Sequence, residues 1–167
     1  METDLTILKG GAELLDRLRP LWLALHEHHR ASQPDRSFQP DELSWPLRRA
    51  EYERWLAEED SFVLVAERAG RAVGYAFVEV YQGPDDTYAT GKKVAELQTL
   101  SVGPGERGGG VGGALMDAMD AELERLGVHD LYVEVLTGNE GAHRFYERRG
   151  LRPVMAVYGR FRGDAVS

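Results

Sequence analysis

An α+β domain built on a single sheet is what this sequence predicts, and three observations predict it. First, short apolar runs rich in β-branched and aromatic residues recur, at Ser61 to Glu67, Ala72 to Tyr81 and Val94 to Val102. Second, two stretches repeat their apolar residues at helical spacing: Leu14, Leu18, Leu21, Trp22 and Leu25, then Val111, Leu115, Ala118, Met119 and Leu126. Third, the 167 residues hold no internal repeat, low-complexity segment or interdomain linker, so one core is expected.

The elements follow in order. Leu5 to Lys9 reads as a short strand, broken by Gly10-Gly11. The first helix runs to about Arg30, with Pro20 interrupting or restarting it, since proline is tolerated only in a first turn. Ala31 to Pro40 is polar, holds two prolines and reads as a loop. A second helix spans Asp41 to Glu59, with Asp41 or Ser44 as its N-cap. Two strands form a hairpin around Ala69-Gly70-Arg71, and Gln82 to Lys93 is a loop. After the strand at Val94 to Val102 comes a glycine-rich turn and a helix ended by Gly127. Asp130 to Leu136 is a strand, Asn139 caps a helix closed by Gly150, and Leu151 to Phe161 is a final strand or strand pair. The tail from Arg162 is expected to fray. The order is β-α-α-β-β-β-α-β-α-β.

Chemistry concentrates in Val94 to Met116, a strand, a turn and a helix start. A helix N-terminus presents free N–H groups and the positive end of the macrodipole, which suits a phosphate. Glycines let an anion approach the backbone and permit turn angles that other residues resist. Arg107, Gly108, Gly109, Gly110, Val111, Gly112 and Gly113 therefore read as a pyrophosphate cradle. A plain flexible linker is the alternative, and the strand and helix on either side argue against it. The nucleotide P-loop fails, because Gly113-Ala114 stands where Gly-Lys-Ser/Thr is needed. Gly108-x-Gly110-x-x-Gly113 fits the dinucleotide fingerprint formally, but Gly103 to Arg107 separate it from the strand. The next strand also ends in Leu136-Thr137-Gly138, without the acid that fingerprint wants.

Arg107-x-x-Gly110-x-Gly112 resembles the Arg/Gln-x-x-Gly-x-Gly/Ala motif of the GNAT superfamily of acetyl-CoA-dependent N-acetyltransferases. The preceding AELQTLSV resembles that family's fourth strand. Asn139-x-x-Ala142-x-x-x-Tyr146-x-x-x-Gly150-Leu151 resembles its later motif, with Leu151 where phenylalanine is usual. The resemblance covers Val94 to Pro153 and leaves the N-terminal third unmatched. It implies one N-acetyltransferase domain over residues 1–167 with the GNAT fold: a mixed, mostly antiparallel sheet with helices on both faces, two strands splaying to admit the cofactor.

For the site, the resemblance implies acetyl-CoA as cosubstrate. Its pyrophosphate lies on Arg107 to Gly113, and its pantetheine on a bulged strand at Leu100, Ser101 and Val102. The Leu100 N–H would polarise the thioester carbonyl. An alkylamine, with a pKa of about 10.4, is mostly protonated at neutral pH, so a base must free its lone pair. Glu96 stands where many members carry that base, with Glu79, Glu134 or a water chain in reserve. Tyr146 matches the family's general acid for the leaving thiolate and shares a helix face with Ala142. Asn139 caps that helix and is a further candidate for a cofactor hydrogen bond. A catalytically silent acyl-CoA sensor is the alternative from another class, and a dehydrogenase a distant third.

Composition bounds the rest. No cysteine is present, which removes disulfides, thiolate metal sites and a cysteine nucleophile. His26 and His29 share a helix face, but no cysteine or carboxylate pair completes a metal site, so none is expected. With Trp45 and Tyr52 they are candidates for acceptor contact, since the family's first two helices border that pocket. The formal charge of −8 disfavours nucleic acid and suits a cationic amine acceptor. The start Met1-Glu2-Thr3-Asp4 is not a signal, and no run could span a membrane, so a cytoplasmic protein is expected. The reading leaves room for a homodimer.

Overall fold

The computed structural model describes residues 4–161 of the chain, so the expected fraying from Arg162 lies outside the described residues. Five strands form one sheet in the order β1-β2-β3-β4-β5. They are β1 (Thr6–Gly10), β2 (Phe62–Arg68), β3 (Arg71–Gln82), β4 (Lys93–Val102) and β5 (Asp130–Tyr132). The first four pair antiparallel, and β5 joins β4 in parallel. The α+β class and the mixed, mostly antiparallel sheet therefore stand as the sequence predicts.

Helices cover both faces. Phe62, Leu64 and Ala66 of β2 pack with Ala76 and Val78 of β3 under α3 (Val111–Leu126). The alternate residues Val63, Val65, Tyr75 and Phe77 pack under α1 (Arg19–Ser32) and α2 (Asp41–Leu56). Two-sided burial explains why β2 and β3 read as continuous apolar runs rather than alternating ones. The hairpin between them closes with Ala69 and Gly70 both at positive φ, the arrangement a two-residue turn demands. Pro20 sits in the first turn of α1 and restarts the chain after a 3-10 turn at Ala12–Arg17. Gly127 ends α3 at φ 71°, its own N–H donating to the Glu124 carbonyl and that of Val128 to the Leu123 carbonyl.

Three expectations are corrected. Pro40, not Asp41 or Ser44, precedes the first turn of α2, and no side chain caps it. Ser44 is buried and its hydroxyl accepts the indole N–H of Trp22 at 2.9 Å, so packing between helices claims it. β5 ends at Tyr132 rather than Leu136. Residues 151–161 form no strand: β5 is too short to offer a ladder, and alternation cannot supply the missing partner bonds. Val154, Met155, Val157 and Tyr158 are accordingly exposed.

A hydroxyl network locks α2 to the sheet. Tyr52 Oη lies 2.5 Å from Thr99 Oγ1 on β4 and 3.0 Å from Tyr75 Oη on β3. Its ring stacks on Phe77 at 4.1 Å, 8° from parallel. Burial pushes the Tyr52 phenol up to about 12, so it stays a hydroxyl at neutral pH. Tyr52→Phe keeps the stack and strands two buried hydroxyls. It should lower unfolding free energy by about 1–2 kcal/mol in chemical denaturation, whereas no loss would mean that the stack alone holds α2.

Candidate active site

The site is built where β4 loses its neighbour. β5 pairs with β4 only over Val94, Ala95 and Glu96, so among the described residues Leu97 to Val102 have no strand on that side. On its other side β4 stays paired with β3, and the register slips there: Phe77 opposes Thr99, Val78 opposes Leu97, and Gln98 is extra. This is a β-bulge at the expected part of the strand. It changes the alternation. Leu97, Leu100 and Val102 pack on the α3 side, while Thr99 meets Tyr52 and Ser101 Oγ donates to the Leu21 carbonyl at 2.9 Å on the α1 side.

Backbone direction follows from the ladder. The Gly103 N–H donates to the Val73 carbonyl at 2.8 Å. Bonding alternates along an antiparallel pair, so Ser101 also faces β3 while the N–H and C=O of Leu100 and Val102 point away, into the gap. That gap runs into the N-terminus of α3. Gly108 and Gly110 have φ of 81° and 85°, a region that favours glycine. Gly110 precedes the helix without a side-chain cap, and the first helical bond is Ala114 N–H to the Gly110 carbonyl. The amides of Val111, Gly112 and Gly113 therefore have no helical acceptor. Arg107 is exposed beside them and makes no ion pair among the described residues.

Helix α4 (Glu140–Arg148) flanks the cradle, its Phe145 ring within 3.5 Å of where a Gly112 Cβ would stand. Tyr146 packs next to Phe145, with ring centroids 5.3 Å apart. Burial holds the Tyr146 phenol well above its usual range. Ala142 stands one turn before it, as the spacing predicts, and its N–H is capped by Asn139 Oδ1 at 3.3 Å. The same oxygen accepts from His28 Nε2 at 3.4 Å, so Asn139 is committed to the helix cap and to α1.

The carboxylates gather at the other end of the gap. Glu96 opposes Glu79 on β3 and Tyr132 on β5. Burial first, and then the charges of Glu134 and Glu79, hold the Glu96 carboxyl above the usual carboxylate range. Glu79 is likewise raised by burial, although it accepts a 2.8 Å hydrogen bond from the bulged Gln98. Tyr81 is pushed up to about 12 by burial and by the same carboxylates. Glu96 and its two reserves, Glu79 and Glu134, thus share one local field.

The histidines part company. His26 Nε2 lies 2.6 Å from the Gln39 carbonyl, and its ring stacks on Trp22. Burial pushes His29 down to about 4, which keeps it neutral. Both line a cavity of about 310 Å³ between α1 and α2, with Trp22, Phe38, Arg48 and Glu51. Tyr52 and Trp45 are buried in the core instead of lining it.

Several residues escaped the sequence reading. Gln98 carries no motif; only a register count reveals it as the bulge. Gln33 Oε1 accepts the Gly138 N–H at 2.8 Å and ties the end of α1 to the loop before α4. A Cβ on Gly138 would stand 1.9 Å from the Ser32 carbonyl oxygen, so this close approach admits glycine alone. Arg48 carries no motif either, although it lines the cavity.

Comparison with known proteins agrees with this geometry. Residues 22–151 match the sequence model of the Acetyltransferase (GNAT) family, reaching well upstream of Val94. A mycothiol acetyltransferase of Thermobispora bispora is 33% identical over 135 residues, 77% of this chain and 41% of that protein. The chain thus spans less than half the length of that relative. The BH1408 protein of Bacillus halodurans, in a mutant form, superposes with a TM-score of 0.77 at 21% identity, over 92% of this chain and 97% of that one. Aminoglycoside N-acetyltransferase AAC(6')-Iy in complex with CoA gives 0.70 at 18% identity, over 97% of each chain. At such identities the likeness of the two structures establishes the fold, and the family assignment rests on the sequence match. This chain belongs to the GNAT acetyltransferase family.

Proposed function

We propose that residues 1–167 act as one acetyl-CoA-dependent N-acetyltransferase domain that moves the acetyl group to a primary amine by direct attack, with no acyl-enzyme. One observation carries the reading: the open side of β4, with the backbone of Leu100 and Val102 turned into it, leads directly to the free amides of α3. The acetyltransferase names of the relative and of the CoA-bound neighbour support the reaction class.

In this reading the pantetheine takes the place that β5 vacates. Its amides bond Leu100 and Val102 as a strand would, and Ser101 contributes backbone only. The pyrophosphate sits on the amides of Gly108 to Gly113, with Arg107 supplying charge. Acetyl transfer needs a free amine lone pair, an oxyanion donor and a stabilised leaving thiolate. Glu96 takes the ammonium proton, directly or through water, and its raised pKa brings it closer to the working pH than an ordinary carboxylate. Glu79 and Glu134 hold the ammonium in the same field. The Leu100 N–H donates to the thioester oxygen as negative charge develops there. Tyr146 stays protonated at neutral pH because burial raises its phenol. Full transfer to a thiolate of pKa about 8.5 is uphill, so Tyr146 acts chiefly by donating a hydrogen bond to the departing sulfur.

Three expectations test this. Gly110→Ala places a Cβ at φ 85°, which strains the turn. It should weaken acetyl-CoA binding by calorimetry while thermal melting falls only modestly, and unchanged affinity would remove the cradle. Tyr146→Phe should lower kcat by about 10²-fold, the low end of general acid catalysis, with acetyl-CoA affinity kept. Equal losses in kcat and stability would assign the ring to packing.

For Glu96, the deprotonated form is the active one. The wild-type kcat/KM should fall as pH drops through a pKa above the usual carboxylate value, and Glu96→Gln should lose that limb. The variant's deficit should shrink as pH climbs toward the amine's own pKa, because solution then supplies free base. The assay is thiol release from acetyl-CoA over an amine panel at about pH 6 to 9.5. Parallel profiles would move the base to Glu79, Glu134 or water. Absence of release with every amine would overturn the enzyme reading.

A further inference from the structure

Among the described residues, the α1–α2 cavity holds a cation that is in no ion pair. Three arginines follow one another closely on α2. Arg49 pairs with Asp16 and Glu53, and Arg54 pairs with Glu51. Arg48 has no carboxylate within ion-pair distance among the described residues. It is half-buried, and its guanidinium carbon lies 4.6 Å from the Trp22 ring centroid, 5.6 Å from Trp55 and 5.7 Å from Tyr52. Aromatic faces hold a guanidinium by its plane and fix its direction. Its N–H donors lie in that plane and are the fork that fits a carboxylate in two parallel bonds. A charge held partly out of water without an anion is a cost that a bound anion would relieve.

The cavity suits a small ligand. Its volume of about 310 Å³ is the low end of small-molecule sites, and Trp22, Phe38 and Leu47 give it apolar wall. The neighbouring His29 is neutral, so it neither repels the arginine strongly nor competes for an anion. At the other end polarity reverses. Glu51 lines the cavity one turn beyond Arg48, and its charge reaches Glu79, which stands opposite Glu96. Among the described residues, one face of α2 therefore presents the unpaired Arg48 first and then the Arg54-paired Glu51, beyond which Glu79 and Glu96 stand on the strands.

We propose that this cavity binds the carboxylate of the acceptor on Arg48, so that the substrate is an amino-acid-type zwitterion whose amine lies on the Glu51, Glu79 and Glu96 side. The binding half stands on the cavity alone; the acceptor half rests on the transferase reading above. Arg48 is a specificity-determining residue here, away from the reacting atoms. A neutral isostere of the carboxylate leaves the fork unpaired, so discrimination against it is the signature.

The test separates the two halves. Phenylacetate and its neutral isostere phenylacetamide are titrated into the protein while the Trp22 indole N–H resonance is followed by NMR. Phenylacetate should shift that resonance saturably, and phenylacetamide should bind at least about tenfold more weakly. Arg48→Gln should abolish the difference, and Arg48→Lys, which keeps charge but not the fork, should weaken phenylacetate binding about tenfold. Thermal melts of both variants check that the fold survives. Equal binding of acid and amide, no saturable shift, or a folded Arg48→Gln that binds phenylacetate as before would each overturn the pocket. In the thiol-release assay, the common amino acids should outperform their carboxamides in kcat/KM, and Arg48→Gln should erase the preference. If carboxamides or simple amines turn over equally well, the zwitterion assignment falls while the transferase reading stands. If phenylacetate binds through Arg48 but no amine is acetylated, the transferase reading falls and the carboxylate pocket stands.

Discussion

A strand in the middle of a sheet normally spends all its backbone groups on its two neighbours. β4 cannot, because β5 leaves it after Glu96. Everything that bears on function follows from how the fold tolerates that loss. A lone strand edge exposed to water would fray or pair with another chain. Here β4 stays pinned from its other sides. β3 holds its ladder through Val102, Tyr52 bonds Thr99 beside the bulge and Tyr75 on β3, and Ser101 is tied to α1 through the Leu21 carbonyl. The unpaired edge is thus rigid and directed, as a preorganised set of donors must be.

The gap has opposite electrical ends. Toward α3 it meets unbonded helix amides and Arg107, a field for phosphates. Toward the start of β4 it meets Glu96, Glu79 and Glu134; burial lifts the carboxyls of Glu96 and Glu79, helped at Glu96 by the charges of Glu134 and Glu79 and at Glu79 by those of Glu58 and Glu51. A polyanionic cofactor that carries an acyl group is oriented by such a gap before any specific contact forms, and a cationic nucleophile is drawn to its other end. As the proposed base, Glu96 with its raised carboxyl also resolves a conflict. A carboxylate of ordinary pKa would attract an ammonium strongly but deprotonate it poorly.

What the sequence disclosed was local. Gly110 before a helix, Gly127 after one, Asn139 as a cap and the hairpin at Ala69-Gly70 each follow from the φ or hydrogen bond that one position requires. The left-handed turn ahead of α3 was legible for that reason. Partnership between distant segments was not. Leu151 to Phe161 has strand composition but no ladder to join, and Ser44 looks like a cap until Trp22 takes its hydroxyl. The bulge could be placed near Leu100 by resemblance alone; that Gln98 is the extra residue depends on its register with β3. Arg48 looked like any helix-surface arginine, since the rings of Trp22, Tyr52 and Trp55 come together around it only in the folded chain.

The central claim is that the backbone of Leu100 and Val102 faces an unfilled strand position which acetyl-CoA completes. Residue-resolved amide hydrogen exchange, with and without acetyl-CoA, tests it most directly. In the free protein the Leu100 and Val102 amides should exchange much faster than that of Ser101, which β3 already holds. Acetyl-CoA should slow Leu100 and Val102 by at least about tenfold, the scale of a formed hydrogen bond of about 1.4 kcal/mol, and leave Ser101 nearly unchanged. Leu100 and Val102 amides already protected in the free protein, or indifferent to acetyl-CoA, would contradict the account.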